Sequence, residues 1–303
     1  MRSKMFFIFY FILRSVFANA TGVPTDSIKH TKTKKIILGS GVVLIAGGSL
    51  AYLNQAWYKP HATGNFHFFA DGREWLQMDK AGHVWSTYQS GRLMMQSMRW
   101  AGYSEGQSQW LGSFSGFAYM TVIELMDGFS SGYGFSWADM GSNAAGSLLA
   151  WAQEHRWKEQ RIQVKFSFHQ TSFPQYRPAL LGANLAEQVL KDYNGQTYWL
   201  SVNVASFLKK ENRFPKWLNV AFGYGANGMI SGNDNYVYVG SDGRIVGNER
   251  YRRGFLSLDI DFSKIYVKSR ILRGIFSALN CIKIPFPAIE FNKYGVRGQG
   301  LYF

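Results

Sequence analysis

The chain has 303 residues and a formal net charge of +14; 47% of its residues are hydrophobic, 17% aromatic and only 17% charged. About 25% charged is usual for a soluble domain, so the composition fits an ordinary soluble protein poorly. Abundant Trp, Tyr and Phe suit a membrane boundary, where amphipathic rings favour the headgroup level. The basic residues spread from Lys29 to Arg297 with no nucleic-acid-binding motif, so no nucleic acid is expected as partner and an anionic membrane lipid surface is. Protein partners in the envelope are a further expectation.

The first elements point to export. Arg2 and Lys4 precede the apolar run MFFIFYFIL (Met5 to Leu13), and ANA (Ala18 to Ala20) offers a small-x-small cleavage site. Residues 1–20 therefore read as a signal peptide, with an uncleaved anchor as the alternative. Cys281 is the only cysteine in the sequence. It allows no internal disulfide and no cysteine-based metal site, and no cysteine follows the apolar run to carry lipid.

Residues 21–60 combine a basic stretch (Lys29, Lys32, Lys34, Lys35) with the apolar run Ile36 to Leu53 and an interfacial WYK at Trp57 to Lys59. As a helix the run would be about 27 Å long, enough to cross a hydrocarbon core of about 30 Å. Were the signal cleaved, those lysines would lie on the side that the positive-inside rule disfavours. Either the first segment stays as an anchor, or the Gly-rich run packs against protein.

Residues 61–158 are helical in pattern. Helices are expected over Leu76 to Trp100, Trp110 to Phe129 and Trp137 to Glu154, separated by the Gly- and Ser-rich loops AGYSEGQSQ and SSGYGFS. Small residues along these helices permit close backbone approach, in a bilayer or in a tight soluble bundle.

After Gln160 the period changes to two. In RIQVKFSF, Ile162, Val164, Phe166 and Phe168 share a face; TYWLSVNV alternates; and in GFLSLDIDFSKIYV, Leu256, Leu258, Ile260 and Phe262 oppose Ser257, Asp259, Asp261 and Ser263. Arg177 to Tyr193 and Lys268 to Leu279 read as helices. GYGANG (Gly223 to Gly228) lacks a strand–loop–helix context and reads as a turn. The expected fold is α+β, an apolar helical bundle followed by a β-rich antiparallel half over 159–303. A small outer-membrane-type barrel, suggested by the terminal VRGQGLYF, and a soluble sheet covered by helices both fit.

Each of the three helices carries a polar pair on an apolar stripe. Asp79 and His83 are four apart, Glu124 and Asp127 three apart, and Asp139 and Asn143 four apart. Residues so spaced are neighbours on a helix surface, and short connections make the helices antiparallel neighbours, so the pairs are expected to share one site. These residues, in DKAGH, YMTVIELMDGF and SWADMGSNAAGSLLA, resemble the pattern of the YfiM-like family of predicted periplasmic lipoproteins, a domain of unknown function. They are more distantly similar to VanZ-like membrane proteins, one of which is linked to teicoplanin resistance; Asp127 stands where those tend to have Gln. The resemblance covers Asp79 to Ala152 and implies a shared site in a bacterial cell envelope, in the periplasm or at the outer membrane, but no reaction.

Two functions remain open at this point. In the first, the polar site is a buried hydrogen-bonded network that fixes helix register in a structural or scaffold protein. In the second, it is the centre of a hydrolase or transferase acting on an envelope lipid or lipid-linked sugar. There His83 is acid or base, Asp79 or Asp139 orients it, and Glu124 serves as an acid. Lys80, Arg92, Asn143 and Asp127 would bind substrate, Lys80 or Arg92 by facing a phosphate. No cofactor is assigned, and whether a metal is held is undetermined: Asp79, His83, Glu124 and Asp139 suit manganese, zinc or magnesium, but HExxH is absent. An enzyme requires a cavity open to the site, whereas a scaffold network is closed.

Overall fold

The computed structural model describes residues 28–58, 63–209, 211, 213–233, 237–240, 242–247 and 249–303. The expected signal peptide lies outside the described residues, as does Lys59 of the WYK segment.

The helices are α1 (Ile28–Leu53), α2 (Met78–Trp100), α3 (Glu105–Gly128), α4 (Trp137–Trp157), α5 (Pro178–Leu181), α6 (Leu185–Lys191) and α7 (Arg270–Leu279). The strands are β1 (Ile162–Phe168), β2 (Gln196–Val202), β3 (Leu218–Asn227), β4 (Tyr238–Val239), β5 (Ile245–Val246), β6 (Tyr251–Ile260), β7 (Phe286–Asn292) and β8 (Gly295–Tyr302). The helical half followed by an antiparallel sheet is the expected α+β order.

Helix α2 is the axis of the fold, buried around most of its circumference although it is rich in Ser, Thr, Gly and Gln. Two features make that burial tolerable. Its hydroxyls bond back to their own helix, Thr87 Oγ1 donating to the His83 carbonyl at 3.0 Å, Ser90 Oγ to Ser86 at 2.9 Å and Ser97 Oγ to Leu93 at 2.9 Å. Glycines in the neighbouring helices let backbones touch: a Cβ at Gly146 of α4 would lie 2.2 Å from Thr87 Oγ1 and 2.3 Å from the Val84 carbonyl oxygen. Helix α3 begins five residues before the expected Trp110 because Ser104 and Gln107 form a capping box, the Ser104 side chain accepting from the Gln107 backbone N–H.

The main sheet runs in the order β1-β2-β3-β6-β7-β8, antiparallel throughout, with β4 and β5 as a separate hairpin between β3 and β6. β1 and β8 end that order, so the described strands form no closed barrel. The outer edge of β1 is met instead by backbone: Phe166 N–H donates to the Cys281 carbonyl at 3.0 Å and Lys283 N–H to the Phe166 carbonyl at 2.8 Å. Val164, Phe166 and Tyr198 pack on Trp85 and Tyr88 of α2, which joins sheet to bundle.

The opposite face of the sheet is polar and enclosed. Lys165 pairs with Asp259 at 2.7 Å, both fully buried, and Arg253 makes a two-bond pair with Glu290 at 2.8 and 2.9 Å. Trp199, Phe255 and Tyr302 fill the space between them, and Thr197 Oγ1 lies 3.0 Å from Tyr302 Oη, so the sheet curls until β2 meets β8. Leu200, Phe222, Leu258, Ile289, Phe291 and Leu301 alternate with this polar set and are exposed.

Two expectations are corrected here. GYGANG is not a turn: Gly223 to Asn227 continue β3, and glycine stands at 223 because a Cβ there would meet the Trp199 ring at 2.8 Å. The helix expected over Arg177 to Tyr193 is two, broken at Gly182, whose φ of 108° is open to glycine and not to other residues.

The backbone approach at Gly146 gives a direct test. Gly146→Ala should lower stability by about 1–3 kcal/mol through overpacking. Gly141→Ala in the same helix, whose added Cβ meets nothing, should raise stability by up to about 1 kcal/mol through helix propensity. Denaturant melts of the two purified variants read the contrast.

Candidate functional site

The three helices bring their polar residues together around Lys80. Its ammonium lies 2.5 Å from Asp139 Oδ1, 2.8 Å from Asp71 Oδ2 and 3.1 Å from Asp79 Oδ2. One turn further along α2, His83 Nδ1 is 2.9 Å from Asn143 Oδ1, while Nε2 lies 3.5 Å from Asp139 Oδ1 and 3.8 Å from Asp79 Oδ1. Burial by itself would drive the Lys80 ammonium toward neutrality, but Asp79 and Asp139 outweigh it and hold its pKa above the ordinary lysine value. The same opposition acts on His83: burial disfavours the imidazolium, and Asp139, then Asp79 and Glu124, raise its pKa above the usual histidine value.

Local structure explains each placement. Asp79 and His83 share a face of α2 by their i, i+4 spacing. Asp139 sits in the first turn of α4, where the positive end of the helix dipole favours a carboxylate. Ser136 caps that helix, accepting from the Asp139 N–H at 3.1 Å and donating from its hydroxyl to Asp71 Oδ1 at 2.5 Å. The Ser136 backbone N–H donates to Glu124 Oε2 at 3.3 Å, which draws α3 to the cluster.

Two members are not found by helical spacing. Asp71 precedes α2 in FFADGRE, and Tyr193 follows α6 far along the chain, donating its hydroxyl to Asp79 Oδ1 at 2.8 Å. Their only signal in sequence is a polar residue beside an apolar or turn segment. Conversely, two expected members lie elsewhere. Asp127 is buried against Tyr58, whose hydroxyl donates to Asp127 Oδ1 at 3.0 Å, so it ties the segment after α1 to α3. Arg92 donates to Gln89 at 3.1 Å and lines a separate cavity of about 210 Å³ with Arg99, Glu154 and Lys264. Nine residues, two and a half helical turns, separate it from His83.

The cluster is open on one side. A cleft of about 470 Å³ reaches Asp71, Asp79 and Tyr193, and its walls include Phe69, Glu74, Trp75, Tyr133, Arg177 and residues 231–233. His83, Glu124, Asp139 and Asn143 form the closed back, 3% exposed or less. At the mouth, Trp75, Leu76 and Gln77 all hold positive φ, at 50°, 49° and 62°. Such a run in L-residues costs about 1–2 kcal/mol per residue. It is held by Trp75 N–H to Gly232 O at 2.8 Å, Arg252 to Gln77 Oε1 at 2.6 Å, and the Tyr224 hydroxyl to Leu76 O. Strained backbone of this kind concentrates at functional sites.

Fold and site define a class: three close-packed helices around a buried carboxylate–lysine–histidine cluster, backed by a curled antiparallel sheet. Residues 67–153 match the model of DUF2279, a family described as a predicted periplasmic lipoprotein. That segment contains every cluster residue except Tyr193, and its description agrees with the envelope location expected from the amino-terminal sequence. The comparisons do not show the likeness to VanZ-like proteins. No curated protein and no solved structure matches the chain.

The cluster's electrostatics predict a non-additive result. Lys80→Met should cost about 3–5 kcal/mol, because it leaves buried carboxylates without their counter-ion; Asp139→Asn should cost less, because Asp71 and Asp79 still pair the ammonium. The double variant should cost clearly less than the sum in a double-mutant cycle read by thermal unfolding; additive losses would show that the pair is not coupled.

Proposed function

We propose that the protein is an envelope protein that lies against a bilayer and receives the phosphate-bearing head group of an anionic lipid in the cleft above Asp79. The observation that carries this reading is the opening of the cluster. A purely structural network would be closed on all sides, whereas here the carboxylate edge meets a cleft with room for a head group.

The surroundings of the cleft support the membrane half of the reading. Phe66, Phe68, Phe69, Phe129 and Trp137 are exposed beside it, with Phe66 edge-on to Phe68 at 5.4 Å and Phe68 stacked on Trp137 at 6.1 Å. Aromatic groups of this kind favour the headgroup level. Helix α1 is, among the described residues, the one helix long and apolar enough to cross a membrane. Its apolar stretch, Thr31–Leu53, is mostly outside the protein interior, and Ile36, Val43 and Leu44 are exposed. Lys32, Lys34 and Lys35 at its amino-terminal end suit an anionic surface. The exposed aliphatic face of the sheet, with its charged groups turned inward, matches a lipid-facing exterior better than a wetted one. Arg177 in the cleft wall is a donor for phosphate.

A second reading adds chemistry at the same place. With the Asn143 amide oxygen facing Nδ1, the neutral ring carries its proton there, and Nε2 faces the carboxylates as an acid–base group. Hydrolysis or transfer on a lipid or lipid-linked sugar head group would use it.

Flotation with vesicles tests the proposal. The protein should float with phosphatidylglycerol-containing vesicles and less with pure phosphatidylcholine. Asp79→Asn should change head-group preference while leaving attachment intact. Absence of flotation with either vesicle would refute the membrane reading, and release of a water-soluble head group, lost in His83→Gln, would select the catalytic one.

A further inference from the structure

An acid-rich cleft poses a physical problem for the reading just given. Asp71, Glu74 and Asp79 line it beside Arg177, and the single Lys80 ammonium is shared by Asp71, Asp79 and Asp139, so carboxylates outnumber cations there and repel phosphate. We infer that Asp79, His83 and Asp139 form a binding site for a divalent first-row cation, of the manganese or zinc type, at the floor of the cleft.

The donor atoms carry the inference. One ligand atom from each of the three residues lies within 4.8 Å of the others, all buried. The two separations from His83 Nε2, 3.5 and 3.8 Å, approach the roughly 3.4 Å edge of a tetrahedron with bonds of about 2.1 Å. One imidazole and two carboxylates form a donor set that suits manganese, iron or zinc.

His83 supplies the independent observation. The residue is 3% exposed and its Nε2 has no hydrogen-bond partner. Its other nitrogen, Nδ1, is engaged by the Asn143 amide oxygen at 2.9 Å. A metal-ligating histidine is oriented in this way, one ring nitrogen donating to a neighbouring oxygen and the other presenting its lone pair to the ion. Here Nε2 faces the oxygens of Asp79 and Asp139, so a cation between them would take its lone pair in place of a proton.

Lys80 completes the arrangement as an exchangeable counter-ion. Its ammonium is on the same Asp139 Oδ1 that the cation would take, at 2.5 Å, and is also 2.8 Å from Asp71. A flexible four-carbon stem allows Lys80 to keep Asp71 while yielding Asp139. The ammonium therefore competes with the cation, and the site is tuned to bind less tightly than its ligands alone would.

The inference rests on the head-group reading for the cation's purpose, not for its presence, and the tests separate the two. Full-length protein purified in detergent is stripped with chelator, loaded with manganese or zinc chloride alone, desalted and assayed for metal by mass spectrometry. Wild type should hold about one equivalent, His83→Gln should hold none, and Lys80→Met should bind about tenfold more tightly or better because the competitor is gone. In melts, Lys80→Met should be destabilised in chelator and recover with metal more than wild type does, a readout that stands even if His83→Gln fails to fold. No metal in wild type and Lys80→Met alike, or metal retained in His83→Gln, would overturn the site. Vesicle flotation without metal binding would leave the lipid reading standing and remove only this inference. Metal binding without flotation would do the reverse.

Discussion

Everything in the helical half turns on one buried ammonium. Lys80 gathers carboxylates from three places: Asp71 before α2, Asp79 within it and Asp139 at the start of α4. Buried carboxylates are expensive unless paired, so the lysine determines where the loop and the two helices can meet. Ser136 reinforces the junction by capping α4 and bonding Asp71. The histidine and the cleft take their positions from that junction.

A polar axis is an unusual foundation for a bundle. Helix α2 is buried despite many hydroxyl-bearing residues because those hydroxyls return to their own carbonyls and because small residues let α3 and α4 approach. Close packing of this type leaves little freedom to repack. The strained turn over Trp75 to Gln77 connects this rigid body to the sheet, through Gly232, Tyr224 and Arg252. The cleft thus has one wall on the helices and another on the sheet, so its shape depends on how the two halves are held together.

The sheet reverses the usual partition. Its ion pairs Lys165–Asp259 and Arg253–Glu290 lie inside the curl with Trp199, Phe255 and Tyr302, while Leu200, Phe222, Leu258, Ile289, Phe291 and Leu301 lie outside. In water this would expose apolar area with no return. Against lipid the same arrangement is favourable, and the exposed apolar face of α1 and the aromatic group beside the cleft suit the same surroundings. The reversed sheet and the cleft both bear on the bilayer setting proposed for the protein.

Periodicity in the sequence was enough for much of this. The three helices, the alternating strands and the polar pairs of α2 and α4 follow from spacing and local pattern, because neighbours three and four apart on a helix are set by its geometry, and the likeness to the predicted periplasmic lipoprotein family rests on the motifs that carry those pairs. Tertiary structure alone decided the rest. Asp71 and Tyr193 join the cluster from a loop and from a distant segment, and no local spacing encodes that meeting. Arg92 is on the same helix as His83 but too many turns away to share its site. Gly223 resembled turn chemistry until Trp199 was seen to cross it. Alternation identified an apolar and a polar face in the strands but not which one is enclosed. That choice depends on how the whole sheet curls and on what surrounds it, and neither is a property of any single stretch of chain.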